Sequence, residues 1–267
     1  MSKSIAGPLR ETNAILTIAY RDILRFLRDP SRLVGTLILP IIFVGVLGGN
    51  FQAGFGRSVG YNLYPLVFTG VLAQTLFQST AFGMISLIED RENDFSQEIF
   101  ISPISRFSII FGKIFGESLV AFAQAIFVLG FGIVIGIPFT VTNVLGMLGV
   151  ALLVCLLGGG FGLILLAGFG SQRAANQILP FLIFPQFFLA GVFNPLKSLP
   201  PFLDILSRIA PLRYAVDLER NVYYAGKPEY SKIVAEGPLV NIAFMVILFL
   251  IFLIVGTTVF VRSERNK

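Results

Sequence analysis

The chain has 267 residues, of which 55% are hydrophobic and only 13% charged. Soluble domains carry about 25% charged residues, so a purely aqueous fold is excluded. Twenty basic against 15 acidic residues leave a net charge of +5, scattered along apolar stretches; that suits membrane orientation and headgroup contact, not nucleic acid.

Residues 13–28 read as an amphipathic helix. Arg21, Arg25 and Arg28 recur at i, i+4 and i+7, with Ile15, Leu16, Ala19, Ile23, Phe26 and Leu27 broadly opposite. This is the pattern of an interfacial helix, its basic side chains toward headgroups or a partner and its apolar face in the membrane boundary. Asp29-Pro30 stops it and turns the chain inward. The first apolar run begins only after this long polar lead and closes on no small-residue cleavage site, so it is expected to stay as an anchor and not act as a signal peptide.

Six apolar runs follow, at about 33–49, 64–88, 118–137, 144–170, 178–193 and 239–261. A bilayer core about 30 Å thick takes roughly 20 such residues per helix, and lipid forces each run to satisfy its own backbone. The expected fold is all-α and integral to the membrane. It has six transmembrane helices, an N-terminal amphipathic helix in 1–32, a spanning domain over 33–262 and a short tail at 263–267. Lys3, Arg10, Arg21, Arg25, Arg28 and Arg32 precede the first run; Arg91, Arg106 and Lys113 lie between the second and third; Arg173 follows the fourth; Arg262, Arg265 and Lys267 follow the sixth. These bases place both termini on the cytoplasmic side of a bacterial-type plasma membrane. The 194–238 loop, with Lys197, Arg208, Arg213, Arg220, Lys227 and Lys232, runs against that count, although it also holds Asp204, Asp217, Glu219, Glu229 and Glu236.

Within the runs, Pro40 and the Gly45/Gly49 pair mark the first. Gly158, Gly159, Gly160 and Gly162 mark the fourth, and Gly112/Gly116 and Gly132/Gly136 bracket the third. Small residues at this spacing admit close helix approach, either within one bundle or between two copies. Cys155, the sole cysteine, is expected to pack as a small residue. Gln74 and Gln78 share a face one turn apart, and Gln124 and Gln186 lie in the third and fifth runs. Intramembrane amides face a bundle interior or a cavity, so they line a substrate path or hydrogen-bond between helices. Lys113 and Glu117 pair at i, i+4 near the entry to the third run, where lysine can snorkel. No charged residue sits at the centre of a run, which disfavours an ion-coupled carrier. The fifth run, with Pro180 and Pro185, leads to Asn194-Pro195 and Leu199-Pro200-Pro201. Helical spacing returns over 202–210, is interrupted by Pro211, and resumes over 216–224, giving short helices near the outer surface before the last run.

Between the second and third runs lies a charged hinge with Glu89, Asp90, Arg91, Glu92, Phe95 and Glu98, closing on Ser102-Pro103. A short helix parallel to the membrane presents Arg91, Glu92 and Phe95 to a cytoplasmic partner; a solvated loop is the alternative. Arg28-Asp29-Pro30, Pro40, Asp90-Arg91-Glu92, Ser102-Pro103-Ile104-Ser105-Arg106, Gly112-Lys113 and Pro211-Leu212-Arg213-Tyr214, with Asp217 and Arg220 beyond, follow one another along this hydropathy profile. In that order they make the chain resemble the permease subunits of type-2 ABC exporters, drug or lipid exporters among them. It departs from that pattern at Asp94-Phe95, where Gly-Thr is common, and at Gln97, where an acid usually falls.

The resemblance implies a separate ATPase subunit, carrying ATP and magnesium, that docks on the hinge and the N-terminal helix. It implies a second permease copy or homologue facing this one, and a hinge that acts as a coupling helix. The chain is then a transporter subunit and not an enzyme. It holds no nucleotide site of its own: Gly112-Lys113 is preceded by Phe107 where a P-loop needs glycine and followed by Ile114. Histidine is absent, which removes Ser-His and Cys-His nucleophiles and zinc-helix motifs. The phenylalanine-rich spans favour an amphipathic or lipophilic substrate, with polysaccharide or lipid-linked glycan export as the alternative.

Overall fold

The computed structural model describes residues 6–92, 105–169 and 171–265, and every regular element among them is a helix. Helix α1 (Ala6–Leu27) ends at the expected Asp29-Pro30 turn, and α2 (Pro30–Pro40) starts on the proline, whose missing N–H costs nothing at a helix N-terminus. The regular α-helical turns of the first run end at Pro40. The chain passes through it into a π-helical stretch (Ile41–Gly48) and on into α3 (Gly49–Val59), because widened turns let a helix absorb a lost rung without stopping. Gly60, at φ +76°, closes α3 in the left-handed conformation that glycine adopts without strain.

Helix α4 (Leu63–Gly83) is capped by Asn62, whose side chain accepts from Tyr64 N at 2.9 Å. It continues through a turn into α5 (Ser86–Glu92), so Glu89–Glu92 of the hinge are helical while Phe95 and Glu98 lie outside the described residues. Helix α6 (Arg106–Val134) is capped by Ser105. Helix α7 (Val141–Leu166) begins on a capping box between Thr140 and Asn143. Helix α8 (Gln172–Leu189) runs through both Pro180 and Pro185. Short helices α9 (Pro201–Ser207), α10 (Pro211–Tyr224) and α11 (Tyr230–Ile233) then precede α12 (Pro238–Arg265). Pro211 therefore starts a helix at its first position instead of interrupting one, and α10 begins five residues earlier than its spacing suggests.

Five helical stretches are long and apolar enough to cross a membrane: Val34–Gly56, Leu63–Glu89, Phe107–Val134, Val141–Leu166 and Tyr230–Arg262. The chain is a multi-pass membrane protein. Helix α8 is not among the five; two prolines and the polar start Gln172, Arg173, Asn176 and Gln177 dilute its apolar content.

Helix α4 forms the centre, buried nearly all round, and packs on α6, α7 and α10. Its contact with α7 is made by glycines. A Cβ on Gly158 would strike the Phe77 backbone, and one on Gly162 would come within 2.6 Å of Ala81 O. The Gly112/Gly116 pair receives α1 in the same way: a Cβ there would lie 3.1 Å from Ile15 Cα and 3.0 Å from Ala19 Cα. These glycines serve packing within one bundle. They also revise the face of α1. Ala19, Asp22 and Phe26 are buried, on the side of α1 that meets α6, while Leu16, Tyr20 and Leu27 remain exposed. The expected apolar face is thus divided between protein and surroundings. Cys155 is buried in the core.

Candidate functional site

The α5 end of the bundle holds a cavity of about 570 Å³ enclosed by α2, α4, α5, α6 and the start of α8. Helical spacing on α4 sends Gln74 and Gln78 to this wall, where the Gln74 amide donates to the Gln78 carbonyl. Gln124 reaches it from α6. It is 1% exposed, and neither its amide nitrogen nor its oxygen has a hydrogen-bond partner. Three of the four glutamines expected to line a path are therefore brought together. Gln186 is not. It is buried near the other end of α8, its side-chain oxygen 3.5 Å from Leu212 N at the head of α10, so it serves as a link between helices.

Two carboxylates share this lining. Glu89, expected on a surface offered to a partner, is half-buried and lines the cavity. Glu117 lines it from α6 and presses on Gly83, where no side chain would fit. Behind Glu117, Lys113 Nζ lies 3.0 Å from Glu117 Oε1 and 2.7 Å from Asp22 Oδ2 on α1. Lys113 is 2% exposed; it does not snorkel, because Asp22 supplies the second carboxylate that makes burial tolerable. Arg21 Nη2 stands 3.3 Å from Asp22 Oδ1. Arg25 and Arg28 are exposed. The side chains of Asp90, Arg91 and Glu92 lie outside the described set. At the head of α6, Glu11 of α1 accepts from Ser105 N at 3.0 Å; hydrogen bonds from Ser108 and Ser105 hold its carboxyl below the usual range.

The opposite end carries a second polar group that spacing alone placed only loosely. Helix α10 is buried along nearly its whole length. Asp217 accepts from Ala235 N, Glu236 N and Asn241 Nδ2, each at 2.8 Å, and so fixes the turn into α12. One turn on, Arg220 donates to the carbonyls of Gly191, Val192 and Asn194 at 2.6, 3.2 and 3.2 Å and fixes the turn leaving α8. Gly70 permits this, since the Val192 backbone occupies the place of its Cβ. Glu219 is fully buried and neither carboxyl oxygen has a partner; burial pushes its acid well above the usual carboxylate range. Asp204 receives Arg213 and Arg208, and the Arg213 hydrogen bond, more than any other contact, holds its carboxyl below the ordinary value. The spacing of Asp217, Arg220, Asn221 and Tyr224, three or four apart, was the available signal for this helix.

The arrangement has an amide-lined cavity at one end and locked turns at the other, and among the described residues no nucleophile is poised against a base. Comparison with known proteins agrees. Residues 13–224 match the ABC-2 type transporter family. Over 258 residues the chain is 26% identical to the protein named as transport permease ycf38 of Cyanophora paradoxa, covering 94% of this chain and 89% of that one. It is 28% identical over 144 residues to the protein named as multidrug ABC transporter permease YbhR of Escherichia coli (strain K12), covering 52% and 38%. It is 23% identical over 227 residues to the protein named as doxorubicin resistance ABC transporter permease protein DrrC of Mycobacterium tuberculosis (strain ATCC 25618 / H37Rv), covering 83% and 78%. With most of its length matched, the chain belongs to the ABC-2 type transporters, as a permease.

Proposed function

We propose that this permease exports an amphipathic or lipophilic substrate, powered by ATP hydrolysed with magnesium on a separate ATPase subunit, in a complex with a second permease copy or homologue. The observation that carries the reading is the cavity beside Gln74, Gln78 and Gln124, at the end of the bundle where Glu89 of the hinge helix also lines it. That end is assigned to the cytoplasm of a plasma membrane by the basic residues at both termini and in the hinge. The ATPase docks there, on α1 and on the hinge around Glu89–Glu98, so that its closure moves the wall carrying Glu89.

Helix α8 is the sixth crossing, and α9 to α11 lie at the outer face. In support, Ala175 and Leu179 near the start of α8 share a buried cluster with Ile85 and Ile88, while Val192 beyond its end meets Gly70. The two ends of helix α8 thus lie beside the two ends of the α4–α5 stretch, while Pro180 and Pro185 face outward. Six crossings return both termini to one side, in keeping with the bases at both termini and in the hinge. The spanning unit runs over 33–262, with α1 and the tail outside it.

The test is a mild-detergent pull-down of the tagged chain from native membranes, assayed for ATP hydrolysis and for a P-loop partner by mass spectrometry. A stoichiometric ATPase partner supports the assignment. Clean recovery without partner or activity, repeated after crosslinking, removes it.

A further inference from the structure

Away from the glutamine-lined cavity, three segments meet in a pocket of about 280 Å³: the turn into α4, the turn between α6 and α7, and the end of α10 with the residues after it. Local chemistry fixes all three. Asn62 caps α4 and Thr140 caps α7. Asn143, the other half of the α7 capping box, donates to Val222 O at 3.0 Å, and the Tyr223 hydroxyl donates to Pro138 O at 3.1 Å. The end of α10 is thereby tied to the α6–α7 turn. Gly226, at φ +77°, then turns the chain in the left-handed conformation that other residues disfavour. Beyond it, Lys227 Nζ stands 3.3 Å from the centre of the Tyr223 ring.

Tyr61, Phe139, Tyr223 and Tyr224 make the walls aromatic, and two charges of opposite sign line the pocket with them, Lys227 and Glu229. The two are not ion-paired with each other, and among the described residues no side chain forms an ion pair with either. A ring face attracts an ammonium but leaves its three N–H donors without a strong acceptor. Burial holds Lys227 below the ordinary lysine value, a shift that a bound anion opposes. Tyr224 is 3% exposed, and its hydroxyl has no hydrogen-bond partner. A buried hydroxyl left unpaired costs free energy, which a guest removes. The pocket thus asks for an acid group beside Lys227 and Tyr224 and for a cation beside Glu229. Its volume is small for a drug-sized molecule but suits a headgroup. Val134 and Val141, on either side of the α6–α7 turn, are 83% and 77% exposed, an apolar surface for acyl chains, and tyrosines gather at headgroup level.

We propose that this pocket holds the headgroup of an ethanolamine phospholipid from the outer leaflet, its phosphate on Lys227 and the Tyr224 hydroxyl and its ammonium on Glu229. The lipid is a resident ligand of the fold and not the cargo. A choline headgroup has no N–H for Glu229, and a glycerol headgroup has no cation. The choice of leaflet rests on the orientation given above, which puts α10 and the α6–α7 turn at the outer face.

The test uses the full chain with its bound subunits in mild detergent. Native mass spectrometry measures retention of ethanolamine, choline and glycerol phospholipids with matched acyl chains, and free phosphoethanolamine is added as competitor. The ethanolamine lipid is expected to be retained best and to resist the free headgroup. Lys227→Gln is expected to weaken it by about tenfold, the loss of a charge-assisted bond to phosphate. Tyr224→Phe is expected to weaken it by about threefold without loss of thermal stability, because it removes a hydroxyl that has no partner in the protein. Glu229→Gln is expected to shift preference from the ethanolamine to the glycerol lipid, which general loosening would not do. Equal retention of all three lipids overturns the proposal, as does unchanged retention in Lys227→Gln and Tyr224→Phe. Displacement by an equal concentration of free phosphoethanolamine overturns the lipid as the source. Orientation is read separately, by labelling Ser231→Cys in a Cys155→Ser background with a membrane-impermeant maleimide on intact cells. Labelling from outside without ethanolamine preference removes the headgroup site and leaves the orientation standing. Labelling only after permeabilisation removes the orientation and the outer-leaflet site with it.

Discussion

Lys113 Nζ lies 2.7 Å from Asp22 Oδ2, joining the N-terminal helix to the third long membrane helix through a pair that is almost completely buried. Burying such a pair gains little over an apolar contact, but removing one partner strands the other in low dielectric and costs about 3–5 kcal/mol. Lys113→Met leaves Asp22 and Glu117 facing each other without a cation and is expected to lose stability on that scale. Adding Asp22→Asn should restore part of it. Thermal unfolding of the two single variants and the double variant in detergent measures the coupling; strictly additive losses would remove the pair as the link between α1 and α6.

The glycine contacts make a sharper distinction between positions. Gly158 and Gly162 hold α7 against the α4 backbone, whereas a Cβ on Gly149 of the same helix would meet nothing within 4 Å. Gly158→Ala forces two backbones apart, an overpacking cost of about 1–3 kcal/mol. Gly149→Ala meets no obstacle and gains helix propensity of up to about 1 kcal/mol. Melting temperatures that fall for the first and hold or rise for the second are the expected result.

Apolar runs and small-residue spacing made most of this fold legible, because a helix in lipid has few alternatives. The α1 stop at Asp29-Pro30 and the close approach at Gly112/Gly116 both follow from local chemistry. What did not follow were relationships over distance. Lys113 and Glu117 are adjacent on one helix and could be paired from spacing, but Asp22 lies 91 positions from Lys113. Only packing of α1 on α6 reveals that the lysine is buried. Gln74, Gln78 and Gln124 were chosen as polar residues in apolar runs, and the fold gathers them. Gln186 met the same criterion yet faces α10, since depth along a helix does not fix its azimuth. Pro211 was expected to interrupt a helix that it begins. Proline constrains the hydrogen bond but leaves open how the chain compensates.

Asp217 and Arg220 act on different turns from one face of α10, so their losses should differ in place. Asp217→Ala leaves three donors around Ala235, Glu236 and Asn241 without a charged acceptor, where each bond to a charged group is worth about 1.5–3 kcal/mol. Arg220→Lys keeps the charge but replaces a planar fork by a compact ammonium that cannot serve the spread carbonyls of 191, 192 and 194. Hydrogen exchange is expected to speed up over 234–241 in the first variant and over 190–195 in the second. The same segment responding in both would show that α10 loosens as a whole.

Glu219 gives the clearest pH dependence. Its carboxyl is raised by burial, so the folded chain holds a proton there that the unfolded chain releases near the ordinary value of 4.5. For a raised acid the stabilising balance is complete below that value and is lost as pH climbs toward the folded one. Glu219→Gln keeps the neutral shape and removes the titration. The variant should match the parent near pH 4 and exceed it increasingly through neutral pH, read as a difference in melting temperature that widens with pH. Asp204, held low chiefly by Arg213, has the opposite sign: its contribution is present above the ordinary carboxylate value and fades only as pH falls below it. A Glu219→Gln advantage that shrank with rising pH, or a constant offset, would place the acid in a solvated or paired setting and contradict the burial of α10.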